Sequence, residues 1–171
     1  MKPLLKLFFD ICLLRAKPQD VPVSGPLMLL AIIAVVASGI PAIVKAVGGP
    51  ISAITISLFD VALTLVLLKI FLGIMNLSPR LLQTATAIFG SGFMINLISL
   101  PVVWLLFVSP ENSGFRLLGG LLYFALLIWG LVIMGHILRH SFNLRLSSGI
   151  LIAMGYFMLI NTLVQRFLAI G

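Results

Sequence analysis

The chain has 171 residues, 61% of them hydrophobic and 9% charged, with a formal charge of +7. A soluble domain of this length carries about 25% charged residues because water must wet its surface, so a water-soluble globule is excluded. The positive excess is scattered in ones and twos between apolar blocks, which excludes the clustered basic face of a nucleic-acid binder and leaves the Lys and Arg bias by which membrane proteins orient.

Residues 2–16, KPLLKLFFDICLLRA, place Leu5, Phe8, Phe9, Cys12 and Leu13 at helical spacing, with Lys2, Lys6, Asp10 and Lys17 largely elsewhere around the wheel. The segment is too short and too charged to span. It predicts an amphipathic helix lying in the headgroup region or packed against the rest of the protein. Asp10, Arg15 and Lys17 interrupt the apolar stretch and no small-residue cleavage site follows, so it does not read as a cleaved signal. Cys12 is the single cysteine, which rules out an intramolecular disulfide and a thiolate cluster. It reads as an ordinary apolar residue, with S-acylation as the alternative.

KPQDVPVSGP, with three prolines and a glycine, cannot continue a helix and predicts a linker. A first span follows over 27–47, with Lys45 near its end and a kink expected at Pro41. Gly48, Gly49 and Pro50 predict a turn, and 51–75 a second span that contains Asp60 and Lys69. A third span over 81–108 carries the cluster Gly90, Ser91 and Gly92 and also Pro101. After the hydrophilic loop SPENSG, the remaining spans are expected over 115–138 and 146–168. Each run suits a hydrocarbon core about 30 Å thick.

The predicted class is therefore all-α: a polytopic helical bundle of five transmembrane helices, preceded by the short interfacial helix. Residues 1–20 form the cytoplasmic helix and linker, and residues 21–171 the membrane domain. With the N-terminus inside, the inner side holds Lys2, Lys6, Arg15, Lys17, Lys69, Arg80, Arg139 and Arg145, and the outer side Lys45, Arg116 and Arg166. This asymmetry favours a cytoplasmic N-terminus and an outward C-terminus, in what reads as a bacterial inner membrane.

Asp60 lies near mid-depth of the second span, where a carboxyl group is costly and by default faces the bundle interior or a watery cavity. It either exchanges protons or stays protonated and donates a hydrogen bond to a Ser or Thr on a neighbouring helix. Lys69 is no partner within the helix, because nine residues are two and a half turns. His136 and His140, at i and i+4, can chelate a metal, but no acidic residue lies between them and further ligands are hard to supply. Interfacial histidines facing headgroups are the expectation. Asn96 and Asn161 are polar residues within spans and can bond across helices. Ala34, Ser38 and Ala42 on the first span, and Gly149 and Ala153 on the fifth, form small-residue stripes that let backbones approach. The Gly90 cluster reads as a packing notch. No phosphate loop or nucleophile elbow is present, so no cofactor, metal or enzymatic activity is expected.

FFDICLLRAKPQDVPVS before the first span and LLQTATAIFGSGFMINLISLP in the third resemble bacterial members of the Yip family, the Ypt-interacting-protein domain. So does the order of N-terminal segment, proline-rich entry and five spans. Eukaryotic relatives carry an acidic-aromatic DLYGP-like motif before the spans, where this chain reads PQDVPVSGP. The resemblance implies a non-catalytic organiser, adaptor or accessory subunit whose partners are the lipid bilayer and other membrane subunits or a second copy of itself, with no small-molecule substrate. The residues offer an alternative: a small proton- or ion-coupled transporter that uses Asp60.

Overall fold

The computed structural model describes the backbone of residues 2–110 and 113–170 and the side chains of 4–110 and 113–166. Glu111, in the SPENSG loop, lies outside the described residues. Among these residues there are six α-helices and no strand: α1 (Lys2–Cys12), α2 (Gly25–Ile43), α3 (Pro50–Ile74), α4 (Leu81–Val108), α5 (Gly114–Phe142) and α6 (Leu146–Ile170). Helices α2 to α6 are long and apolar enough to cross a bilayer. A helix satisfies its backbone amides internally, which hydrocarbon demands of anything that spans it. The chain is an integral, multi-pass membrane protein.

The helix ends follow from local chemistry. Ser24 caps α2 by accepting the Leu27 N–H at 3.3 Å, and Pro26 occupies its first turn, where no amide partner is needed. Helix α2 stops at Ile43, short of the expected 47. Pro41 offers no N–H and crowds the preceding turn, and Gly48 and Gly49, at φ of 83° and 151°, turn the chain back. Helix α5 instead runs four residues past the expected 138, to Phe142. It ends at Asn143 in the left-handed region, with the Leu144 N–H returning to the Arg139 carbonyl at 2.8 Å. Asn76 ends α3 in the same way, through Leu77 N–H to Leu72 O at 2.7 Å. At the end of α1 the left-handed residue is Leu14, φ 61°, with Arg15 N–H to Asp10 O at 2.8 Å.

Helix α4 is the hub, with α2 and α5 packed on it, α6 on α5, and α3 against α2 and α4. Small residues set the close approaches. A Cβ added at Gly90 would overlap the Phe8 ring, and one at Gly92 would meet Val35 at 3.1 Å. The glycine-serine cluster is thus a notch for two neighbours, α1 on one side and α2 on the other. Farther along, a Cβ at Gly119 would lie 3.1 Å from the Leu106 amide. Gly149 fits directly against the Gly135 carbonyl, so α5 and α6 touch backbone to backbone.

Of the two settings expected for α1, the structure shows the second, packing against the rest of the protein. Phe8, Ile11 and Cys12 are buried, together with Ala16 and Val21, against Ala87, Ile133 and Ile137 of α4 and α5. The apolar face that the wheel offers to lipid is mostly spent inside the protein, and Leu5 and Phe9 remain exposed. Polar bonds fix the connection that follows. Trp129 Nε1 donates to the Cys12 carbonyl at 3.0 Å, Gln83 Nε2 donates to the carbonyls of Gln19 and Val21 at 3.0 and 2.9 Å, and Gln19 Nε2 donates to the His140 carbonyl at 2.6 Å. Arg80 Nη1 reaches the carbonyls of His140 and Ser141 and Oδ1 of Asn143 at 3.2, 3.0 and 2.9 Å. A helix C-terminus carries unpaired carbonyls and partial negative charge, and Arg80 answers both on α5.

Candidate functional site

Asp60 sits ten residues beyond the start of α3, about 15 Å along its axis. Tyr156 of α6 donates its hydroxyl to Asp60 Oδ1. With that proton committed, the hydroxyl of Thr64, one turn along α3, supplies the donor for its own 2.7 Å bond to the Tyr156 oxygen. Residues four apart share a helix face, so Asp60 and Thr64 hold Tyr156 between them. The result is a relay from Thr64 to Tyr156 to Asp60 that joins α3 to α6.

The relay borders a cavity of about 360 Å³ among α2, α3, α4, α5 and α6. Its polar lining is Ser57, Asp60, Thr64, Asn96 and Tyr156, and its apolar walls include Val35, Ile56, Ile88, Phe89 and Met134. Asn96 enters from α4 with Nδ2 donating to the Val35 carbonyl at 3.1 Å and to Ser38 Oγ at 3.2 Å. Gly39 makes room for this wall, since a Cβ there would stand 3.2 Å from Asn96 Nδ2 and 4.0 Å from Ser57 Oγ. Ser38, from the small-residue stripe of α2, therefore serves Asn96 as well as close packing. A second cavity, of about 390 Å³, lies at the other end of α2 and α4 among Pro41, Lys45, Pro101 and Trp104. Among the described residues it brings no carboxyl group to its walls.

Of the candidates the sequence singles out, Asp60 and Asn96 meet in one cavity. Lys69 is exposed on α3 and does not line it, as its half-turn offset requires. Asn161 is exposed on α6 and donates to the Phe157 carbonyl of its own helix at 2.8 Å, and among the described residues it bridges no helices. The histidines also depart from expectation. His136 is 3% exposed and its Nε2 bonds the Ala16 carbonyl at 2.9 Å. A carbonyl only accepts, which places the proton on Nε2. His140 stacks edge-on to it at 4.8 Å between ring centres, and its own Nε2 accepts from Arg139 Nε at 3.1 Å. The buried His136 ring anchors the chain that follows α1 instead of facing headgroups. Among the described residues no group of three His, Cys, Asp or Glu side chains could hold a metal ion.

Tyr156, Ser57 and Thr64 are the site residues that sequence reasoning passed over. Tyr156 carried a usable signal: a phenol well inside a membrane helix needs a polar partner, and Asp60 is the carboxyl group inside the spans. No protein-family model, no curated protein and no solved structure matches the chain.

Proposed function

We propose that this protein is a small membrane carrier that moves a polar solute coupled to a proton taken up and released by Asp60, without covalent catalysis. The observation that supports the reading is the 360 Å³ cavity walled by the Thr64, Tyr156 and Asp60 relay and by Asn96 and Ser57. The space is a cleft about half open to its surroundings, and at roughly 30 Å³ per water it has room for about a dozen water molecules beside the carboxyl group. A carboxyl group kept only for structure needs a partner but no such space.

A carrier also needs an element that can shift. Helices α4, α5 and α6 are locked by the glycine contacts at Gly119, Gly135 and Gly149. Helix α3 meets α6 through the Tyr156 side chain instead. In this reading α3 moves and the relay reports its position. The N-terminus lies in the cytoplasm of a bacterial cell, supported by the eight cations grouped on the side of α1 against three at the other end.

The organiser reading has the Yip resemblance behind it, together with the exposed apolar faces of α3 and α5. Lipid covers such faces as well as a partner does. The amphipathic surface of α1, which a partner would take, is occupied by α4 and α5.

The test is proton flux in proteoliposomes that carry a pH gradient and an internal pH dye. With small cationic, anionic or neutral polar solutes supplied in turn on one side, wild-type protein is expected to dissipate the gradient with the solute it carries, and Asp60→Asn to hold it as protein-free vesicles do. Equal rates for wild type and Asp60→Asn would remove the carrier reading.

A further inference from the structure

The polar groups around the cavity are unequally used. Tyr156 engages Oδ1 of Asp60 and the backbone carbonyl of the same residue, and no hydrogen bond among the described residues engages Oδ2. Asn96 spends its Nδ2 on Val35 and Ser38, and no bond among the described residues takes its Oδ1. Ser57 Oγ likewise lines the space without a bond among those residues. None of these oxygens is both buried and unpaired, a condition found among the described residues only at Gln19 Oε1, so each keeps some accessible surface, and each belongs to a residue that lines the cavity. What is left over is three oxygens that can accept, one on a carboxyl group, one on an amide and one on a serine hydroxyl that can also donate. Among the described residues no Lys or Arg lines the cavity, although the chain has eleven of them.

We infer that the solute held at Asp60 is a small primary alkylammonium ion, an inference that rests on the carrier reading above. An ammonium head brings three N–H donors and no acceptor. The three open acceptors, Asp60 Oδ2, Asn96 Oδ1 and Ser57 Oγ, answer that number. An anion would meet a carboxyl group with no cation to offset it, and a hard divalent ion asks for six or more oxygens. The walls of Val35, Ile88, Phe89 and Met134 suit a short alkyl chain. Proton and ammonium then compete for one carboxylate, which is the coupling an exchanger requires.

Calorimetric titration of the full chain in nanodiscs at pH 7 tests this, with butylammonium, its uncharged counterpart 1-butanol, and tetramethylammonium, which carries charge without donors. Saturable binding of butylammonium alone is expected, weakened at least tenfold in Asp60→Asn. Ser57→Ala leaves the Tyr156 relay intact and is expected to weaken binding several-fold, which keeps the test valid if Asp60→Asn does not fold. Equal binding of 1-butanol or of tetramethylammonium would overturn the inference. So would butylammonium binding that is absent, or that neither substitution changes. Asp60-dependent proton flux without butylammonium binding would leave the carrier standing and remove the alkylammonium ion. Butylammonium binding without that flux would do the reverse.

Discussion

Tyr156 reaches from α6 to Asp60 on α3 and takes its own hydrogen bond from Thr64, so a single phenol oxygen closes the gap between two membrane helices. The amide of Asn96 makes a comparable mid-helix tie from α4 to α2, and the remaining ties between spans rest on small residues or on groups at the helix ends. The Tyr156 tie also sits at mid-helix, beside the cavity.

Replacing that phenol by Phe removes both bonds and leaves the ring. Interhelical hydrogen bonds in membranes contribute about 1 kcal/mol, so Tyr156→Phe is expected to destabilise the protein by about 1 to 2 kcal/mol because two bonds go together. Thr64→Ala should cost less, since the bond to Asp60 survives. Reversible unfolding in mixed micelles measures both. A cost for Tyr156→Phe no greater than for Thr64→Ala would mean that the bond to Asp60 contributes nothing.

Cys12 should be inert at neutral pH. Its side chain is buried, with Sγ 3.8 Å from the Ser91 carbonyl, and burial pushes its thiol up to about 11. The reactive species is the thiolate, so only about one thiol in ten thousand is reactive at pH 7, rising roughly tenfold per pH unit. Iodoacetamide labelling of the protein in micelles should be negligible at pH 7, rise with pH, and become rapid in denaturant. Burial also leaves no open thiol for S-acylation while α1 is docked. Gly90→Leu drives a side chain into the space of the Phe8 ring, and displacement of α1 should then expose Cys12 to label at pH 7. Unchanged labelling in that variant would mean that α1 does not depend on the notch.

Leu14 occupies a backbone region in which a branched side chain is strained, at a cost of roughly 1 to 2 kcal/mol. At the ends of α3 and α5 the same geometry is met by Asn76 and Asn143, which tolerate it. Leu14→Gly is therefore expected to raise stability by up to about 1 kcal/mol, the gain being reduced by the greater freedom of glycine in the unfolded chain. A loss of stability would show that the half-exposed Leu14 side chain packs usefully enough to outweigh the strain.

The spans were legible because hydrocarbon imposes a length and a composition that sequence displays directly. Helix ends were less so: the turn at Gly48 and Gly49 and the Asn143 cap depend on one or two residues each, and the apolar runs around them continue regardless. The docking of α1 was only half visible, since an amphipathic helix has the same pattern whether lipid or protein covers it, and only the Gly90, Ser91 and Gly92 notch hinted at the second. Asp60 stood out because a carboxyl group is conspicuous among apolar neighbours. Its partners did not, because Tyr156 is nearly a hundred positions away and nothing local marks which faces of α3 and α6 will meet. The network of Gln19, Arg80 and Gln83 was silent for a related reason. Loop-end polar residues look alike in sequence, and only the fold decides which carbonyls they reach.

A carrier of this kind requires the Asp60 cavity to admit a small hydrated cation from outside the protein. In a Cys12→Ser background, Ser57→Cys places one thiol on the cavity wall, and the water-soluble reagent methanethiosulfonate ethylammonium can be applied to protein in sealed vesicles. The prediction is modification within minutes, slowed by butylammonium. A thiol that stays unmodified in the folded protein, yet reacts fully once detergent unfolds it, would contradict the account.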